Sequence, residues 1–254
     1  MALRRLAWAG LAVLALAAGL AEARAPRGPA DLVRAYPDVV DRIEGGRLYL
    51  KNGRWWPISD GRTGKTLHER AVRPDIDDIF AEPYPTGPLK RAPTGEPGRV
   101  RHEPLFTALY GDCAKLQVKL KRVAWMPRRG GGHVMFAEAH GAAAALERVV
   151  ADLEKLPPSM TRFLVPVGGT YNCRKIEGRN RRSMHAYAAA IDIAVRHSDY
   201  WVWAGGEKAP YRNRIPMEIV AVFEKHGFIW GGKWKHFDTM HFEYRPELLP
   251  PTRR

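Results

Sequence analysis

Cysteine is nearly missing from this chain: only Cys113 and Cys173 occur, and they are far apart. A C-x-x-C redox motif and a cysteine-held zinc site, both of which need closely spaced thiols, are therefore excluded. Acidic residues are scarce too, with 27 Asp and Glu against 41 Lys and Arg, a formal net charge of +14. No internal repeat is visible, which removes solenoids and propellers. Beyond Leu20 no apolar run approaches the roughly 20 residues that a membrane-spanning helix needs. What remains is a globular chain of 254 residues, 45% hydrophobic with eight tryptophans, enough for one sizeable core and a smaller appendage.

The single long apolar run, Leu6 to Leu20, follows Arg4 and Arg5 and precedes Ala21-Glu22-Ala23, a small-residue cleavage pattern. Residues 1–23 read as a secretory signal peptide, so the mature chain is expected to begin at Arg24 and to be periplasmic or secreted. Export permits a disulfide between Cys113 and Cys173. Closing a loop of about 60 residues restrains the unfolded chain by on the order of 4 kcal/mol in the chain-entropy account. Two free buried thiols are the alternative. The basic balance favours anionic partners, and outside the cytosol these are cell-wall peptide carboxylates and anionic lipid surfaces, with no sign of specific nucleic-acid recognition. Solubility is the blander use of the same charge, and nothing in the sequence fixes an oligomeric state.

Along the chain, residues 24–104 form a separate unit. Asn52-Gly53 divides two strand-like pieces and predicts a hairpin in a small lobe. Trp55-Trp56 next to it could stack on a sugar or simply pack. The stretch from Glu82 to Pro104 holds six prolines and reads as a linker or an extended surface strap. From Leu105 the pattern predicts a short helix reaching Val118 and then a strand ending near Pro127. A long helix is expected from Phe136 to Leu156, stopped by Pro157-Pro158, and a second from Pro216 to Gly227 with Ile219, Val220 and Phe223 on one side. Short strands are expected in FLVPVGG, AAAIDIAV and MHFEY. Strands and helices in this irregular order give an α+β domain over residues 105–254.

The chemistry-bearing stretch is SMHAYAAAID, Ser183 to Asp192. On a strand at Ala190–Ile193, Asp192 points to one face while Ile191 and Ile193 point to the other. A half-buried carboxylate needs a partner, because an unpaired one is costly to desolvate. A metal ion would serve, and mixed histidine and carboxylate ligands suit zinc. A second polar cluster occurs in HFDTMHFEY, where His241 and Glu243 share a strand face and Asp238 lies three residues ahead of His241.

These two clusters resemble the motifs of the zinc DD-peptidase family, which includes D-Ala-D-Ala carboxypeptidases, dipeptidases and L-Ala-D-Glu endopeptidases. SMHAYAAAID follows S-x-H-x-x-G-x-A-x-D, and DTMHFEY resembles the second motif, an acidic residue three positions before a histidine. The likeness is strong from Gly168 to Leu248 and perceptible from Leu105. It implies a hedgehog/DD-peptidase-like fold, a small antiparallel sheet flanked by helices. It also implies one zinc ion held by His185, Asp192 and His241, and a peptidoglycan stem peptide as substrate. Asp238 corresponds to the general base, with Glu243 as the competing choice, or else a salt-bridge partner of an arginine. Arg174 matches the arginine that steadies the substrate carbonyl, and Arg179, Arg181 and Arg182 compete for that role. Ser183 corresponds to a supporting hydrogen-bonding serine, and Tyr187 and Trp234 are expected around the site. His197, His226 and His236 are expected at the surface or behind the ligands. Ala188 departs from the pattern, standing where the family has glycine. If that position needs a positive φ, alanine costs about 1 kcal/mol. The rival reading is a non-catalytic, zinc-stabilised module that binds cell wall or polyanions, for which Ala188 is the sequence support.

Overall fold

The computed structural model describes residues 27–176 and 181–251; the expected signal segment 1–23 and Arg179 lie outside them. All strand pairings are antiparallel and fall into three small sheets. Several helices accompany them, so the architecture is mixed α and β.

Near the amino end a short helix, α1 (Ala30–Ala35), leads into a meander of β1 (Val40–Glu44), β2 (Arg47–Leu50) and β3 (Trp55–Pro57). The turn between β2 and β3 contains Asn52-Gly53, with Gly53 at φ +83°, as that dipeptide predicts. Trp55 is exposed beneath the Arg47 guanidinium, whereas Trp56 meets the His102 ring edge to face at 5.7 Å. A second helix, α2 (Leu67–Val72), carries a full capping box between Thr66 and Glu69 and buries no residue. Three carboxylates close on the Lys65 ammonium behind it: Asp60 at 2.9 Å, Asp75 at 2.7 Å and Asp78 at 2.8 Å.

The proline-rich stretch is tied to the rest of the chain by buried and half-buried hydrogen bonds. The Tyr84 hydroxyl donates to Glu224 at 2.7 Å, the Trp234 indole donates to the Pro97 carbonyl at 2.9 Å, and Arg245 donates to the Gly98 carbonyl at 2.6 Å. Lys233, fully buried, donates to the carbonyls of Pro85 and Gly87. Leu32, Tyr36 and Leu48 of the amino-terminal elements share one apolar core with the later segments.

The later segments begin with α3 (Glu103–Tyr110), capped by the His102 ring, which accepts the Leu105 N–H. It is shorter than the pattern suggested. Gly111 at φ +92° ends it, and a Cβ there would lie 2.6 Å from the Gln117 carbonyl oxygen, so the chain turns at the one residue that fits. The hairpin β4 (Leu120–Trp125) and β5 (Gly132–Ala137) follows. Here the expected helix from Phe136 is corrected. Phe136 and Ala137 complete β5, His140 and Gly141 take left-handed backbone, and α4 runs only over Ala142–Leu153. The apolar positions Phe136 and Ala137 fit either period, and pairing with β4 decides it. The strand expected in FLVPVGG is reduced to a single antiparallel bridge between Gly169 and Asp192. Pro158–Phe163 is 3-10 helix, and Pro166 is unable to donate to a ladder.

The remaining sheet has β6 (Ala190–Asp192) and β7 (Phe228–Trp230) on either side of β8 (His241–Tyr244). The helix α5 (Met217–Lys225) packs on it as its apolar side requires, with Phe223 stacked on Phe242 at 3.9 Å between centroids. Cys113 and Cys173 are joined in a disulfide that ties the end of α3 to the approach to Ser183.

Candidate metal centre

Strand register builds the site. Asp192 on β6 pairs directly opposite His241 on β8, which places their side chains together on one face. Ile191 and Phe242, one residue away on each strand, are fully buried on the other face. His185 arrives from a single 3-10 turn, Met184–Tyr187, that Ser183 caps by accepting the His185 N–H at 3.3 Å. The turn closes at Ala188, which sits at φ +52° and ψ +27°. The position where the family has glycine is thus left-handed in this chain, occupied by a residue with a Cβ.

Both imidazoles are oriented from behind. The His185 Nδ1 lies 2.5 Å from the Thr170 carbonyl oxygen, so Nδ1 carries the hydrogen and Nε2 faces the site. His241 is turned the other way round: its Nε2 donates to Glu243 at 3.0 Å and its Nδ1 faces the site. Glu243 is in turn held by Arg101 at 3.0 Å and Arg245 at 3.4 Å. A histidine whose outer N–H is held by a carbonyl or carboxylate is the usual arrangement of a metal ligand.

The facing atoms are close together. His185 Nε2 is 3.2 Å from both His241 Nδ1 and Asp192 Oδ2, and His241 Nδ1 is 2.8 Å from Asp192 Oδ1. Ligands bonded at 2.0–2.2 Å around a tetrahedral ion stand about 3.4 Å apart, so small outward shifts accommodate one. The group His185, Asp192 and His241 can therefore hold a metal ion.

Charge is tightly balanced. Burial would raise the Asp192 carboxyl, but hydrogen bonds from His185 and His241 hold it well below the usual carboxylate range. Burial opposes a charge on His241, yet Asp192 and Glu243 overcome it and lift its pKa to about 10. Burial would also raise Glu243, which the Arg101 charge and His241 keep well below its ordinary value.

Asp238 differs from these. It lies in the turn before β8, its N–H donating to the Gly231 carbonyl at 3.0 Å. Gly231 has no room for a side chain: a Cβ would come 2.6 Å from the Asp238 carbonyl oxygen. The Asp238 Oδ1 is buried without a hydrogen-bond partner among the described residues. Burial pushes its carboxyl up to about 6, moderated by the charge of His241 and reinforced by Asp192. An orphaned carboxylate oxygen beside two histidines and a carboxylate is a group without a structural use.

Other expected residues fall elsewhere. Tyr187 is buried with its hydroxyl 3.1 Å from Thr107, packed between Phe106 and Tyr110. The Trp234 ring stands 5.7 Å from that of His241. Arg174 is exposed, and its carbonyl accepts the Ser183 N–H. Arg182 pairs with Asp112 at 2.7 Å. His226 binds Asp152, and His236 is gripped between Glu96 and Glu207. The sequence reading did not anticipate Thr170, Arg99 and Arg101. Arg99 faces Asp238 electrostatically and lies 5.4 Å over the Trp234 ring. The paired arginines of GRVRH were a signal, obscured by the prolines around them.

Residues 177–244 match the family model for D-alanyl-D-alanine carboxypeptidase, which bears out the family resemblance carried by the two motifs. That stretch holds His185, Asp192 and His241, the group able to hold a metal, and also Asp238. Neither a curated protein nor a solved structure matches the chain.

Proposed function

We propose that the chain is an exported zinc peptidase that hydrolyses an amide bond in peptidoglycan stem peptides, D-Ala-D-Ala first among them. The observation that carries this reading is the pairing of an oriented His-Asp-His group with the raised carboxyl of Asp238, whose Oδ1 has no hydrogen-bond partner among the described residues. The family match over residues 177–244 supports it. We read the β6-β8-β7 sheet with α5 behind it as the core of a hedgehog/DD-peptidase-like fold. Residues 105–254 form the catalytic domain in this account, and residues 24–104 an appended lobe and strap.

When bound, zinc supplies Lewis acidity and brings the pKa of water to about 7. His185, Asp192 and His241 would hold it, with Thr170, Glu243 and Arg101 fixing the imidazoles. Asp238 takes the proton of the attacking water and returns it to the leaving amine, a transfer suited to a carboxyl whose pKa has been lifted towards neutrality. Arg174 steadies the negative charge that develops on the carbonyl oxygen. Ser183 holds the turn that presents His185.

The test is to incubate zinc-loaded and chelator-treated protein with purified pentapeptide muropeptides and to read product masses. Loss of one alanine in the zinc sample alone is the expected result. A different zinc-dependent fragment would move the scissile bond. Unchanged masses, with zinc bound and cross-linked dimers also intact, would overturn the reading.

A further inference from the structure

The meander of β1, β2 and β3 turns one face to the core and the other to solvent. Val40, Leu48 and Leu50 are buried, so the residues that alternate with them along β2 face outward. Strand register sets the outward side chains in rows: Arg42, Tyr49 and Trp55 lie across from one another, and Glu44 lies across from Arg47. Both aromatic rings of this face carry a guanidinium, that of Arg42 4.4 Å over Tyr49 and that of Arg47 4.2 Å over Trp55. Trp55 nevertheless remains 46% exposed.

Charge on this face is lopsided. Arg42 takes both acids of the meander, Asp41 at 2.6 Å and Glu44 at 3.1 Å. Arg47 forms no ion pair among the described residues, and neither do the exposed Lys51 and Arg54, which flank the Asn52-Gly53 turn before Trp55. That end of the meander therefore presents an exposed indole among three cations that no carboxylate of the meander reaches. A guanidinium lying on a ring keeps its charge, and its N–H edge stays available to an anionic oxygen.

We infer that this face docks the protein on an anionic lipid surface, with Trp55 at the level of the headgroups and Arg47, Lys51 and Arg54 on their phosphates. A sheet face is flat. The cavity of about 880 Å³ beside α2, lined by Arg73, Arg101 and Arg181, includes none of these side chains. A planar partner therefore suits the meander better than a ligand that needs to be enclosed. Tryptophan settles at the membrane–water interface, where its apolar ring and polar N–H are both satisfied. Each cation within reach of the headgroups adds to the attraction, and a patch of this size gives reversible association rather than insertion. The docking face shares no residue with the metal group, so vesicle binding and peptide hydrolysis are kept or lost separately.

The experiment is co-sedimentation with vesicles of phosphatidylglycerol and phosphatidylcholine in equal parts, set against vesicles of phosphatidylcholine alone. It uses the chain beginning at Arg24, which keeps every described residue and omits the apolar run Leu6 to Leu20, able to partition by itself. Binding to the anionic vesicles, weakening as salt rises, is expected. Arg47→Gln should lower the partition coefficient about fivefold, the effect of one charge at such a surface. Trp55→Ala, which leaves the net charge unchanged, should lower it by a similar factor. Arg128→Gln removes the same charge from the β4–β5 turn, where that side chain is 84% exposed, and should change it less than about twofold. Circular dichroism should show all three variants folded. No binding to the anionic vesicles, equal losses for Arg47→Gln and Arg128→Gln, or no loss for Trp55→Ala would overturn the inference. Binding of soluble polyphosphate, with the same dependence on Arg47 and Trp55 but no vesicle binding, would also overturn it and make the face a receptor for a free polyanion.

Discussion

His185 and His241 present opposite ring nitrogens to the same point, and each is locked in that pose by one partner, Thr170 or Glu243. His185→Ala should therefore lose bound zinc and turnover together. Glu243→Gln should keep the fold but weaken zinc affinity by about 10- to 100-fold, as changes behind a ligating histidine do, and competition with a chromophoric chelator would measure it. Asp238 has a pH signature of its own. Its folded pKa of about 6 lies above the unfolded value, so the unfolded chain ionises first, and the metal-free protein should lose stability as pH rises from about 4 to about 6. His241 contributes in the opposite sense to a buried neutral group: its stabilisation is complete below its unfolded pKa and fades as pH climbs towards about 10. Urea unfolding of metal-free Asp238→Asn should show the second decline without the first. The grouping of His185, Asp192 and His241 was legible in the sequence because their spacing is fixed by a turn and a strand. Arg101 was not, since it reaches Glu243 across 142 positions and no local pattern records such a contact.

At the scale of elements, the motif turn and the strand pair decide the geometry. Ala188 occupies left-handed backbone within a fully buried turn, a conformation that disfavours a Cβ. Ala188→Gly should raise stability by about 0.5–1 kcal/mol, the relieved strain exceeding the added chain entropy, with zinc content unchanged. A lower melting temperature would show that the turn is not strained. The disulfide holds the segment before this turn to the end of α3. Replacing Cys113 and Cys173 by alanine should cost on the order of 4 kcal/mol, read as a shift in the denaturation midpoint. Periodicity located α5, β6 and β8, and the Asn52-Gly53 turn located the β2–β3 hairpin. It failed where apolar residues suited two periods, as at Phe136, and where a glycine ended a helix early, as at Gly111. In both places a tertiary contact, the β4 ladder or the Gln117 carbonyl, settles what the local pattern leaves open.

Across the whole molecule, the amino-terminal elements and the proline-rich strap share a core with the peptidase-like segments and supply Arg99 and Arg101 to the surroundings of the site. Composition announced a basic chain but not where the charge would gather, because Arg73, Arg101 and Arg181 meet only in three dimensions. The account turns on whether the His-Asp-His group and Asp238 work as holder and base. The most direct test is turnover per bound zinc in Asp238→Asn. The account predicts one zinc per chain and a rate reduced by at least about 100-fold, the usual loss on removing a general base. Full rate with zinc in place would contradict it and would pass the role of base to another group.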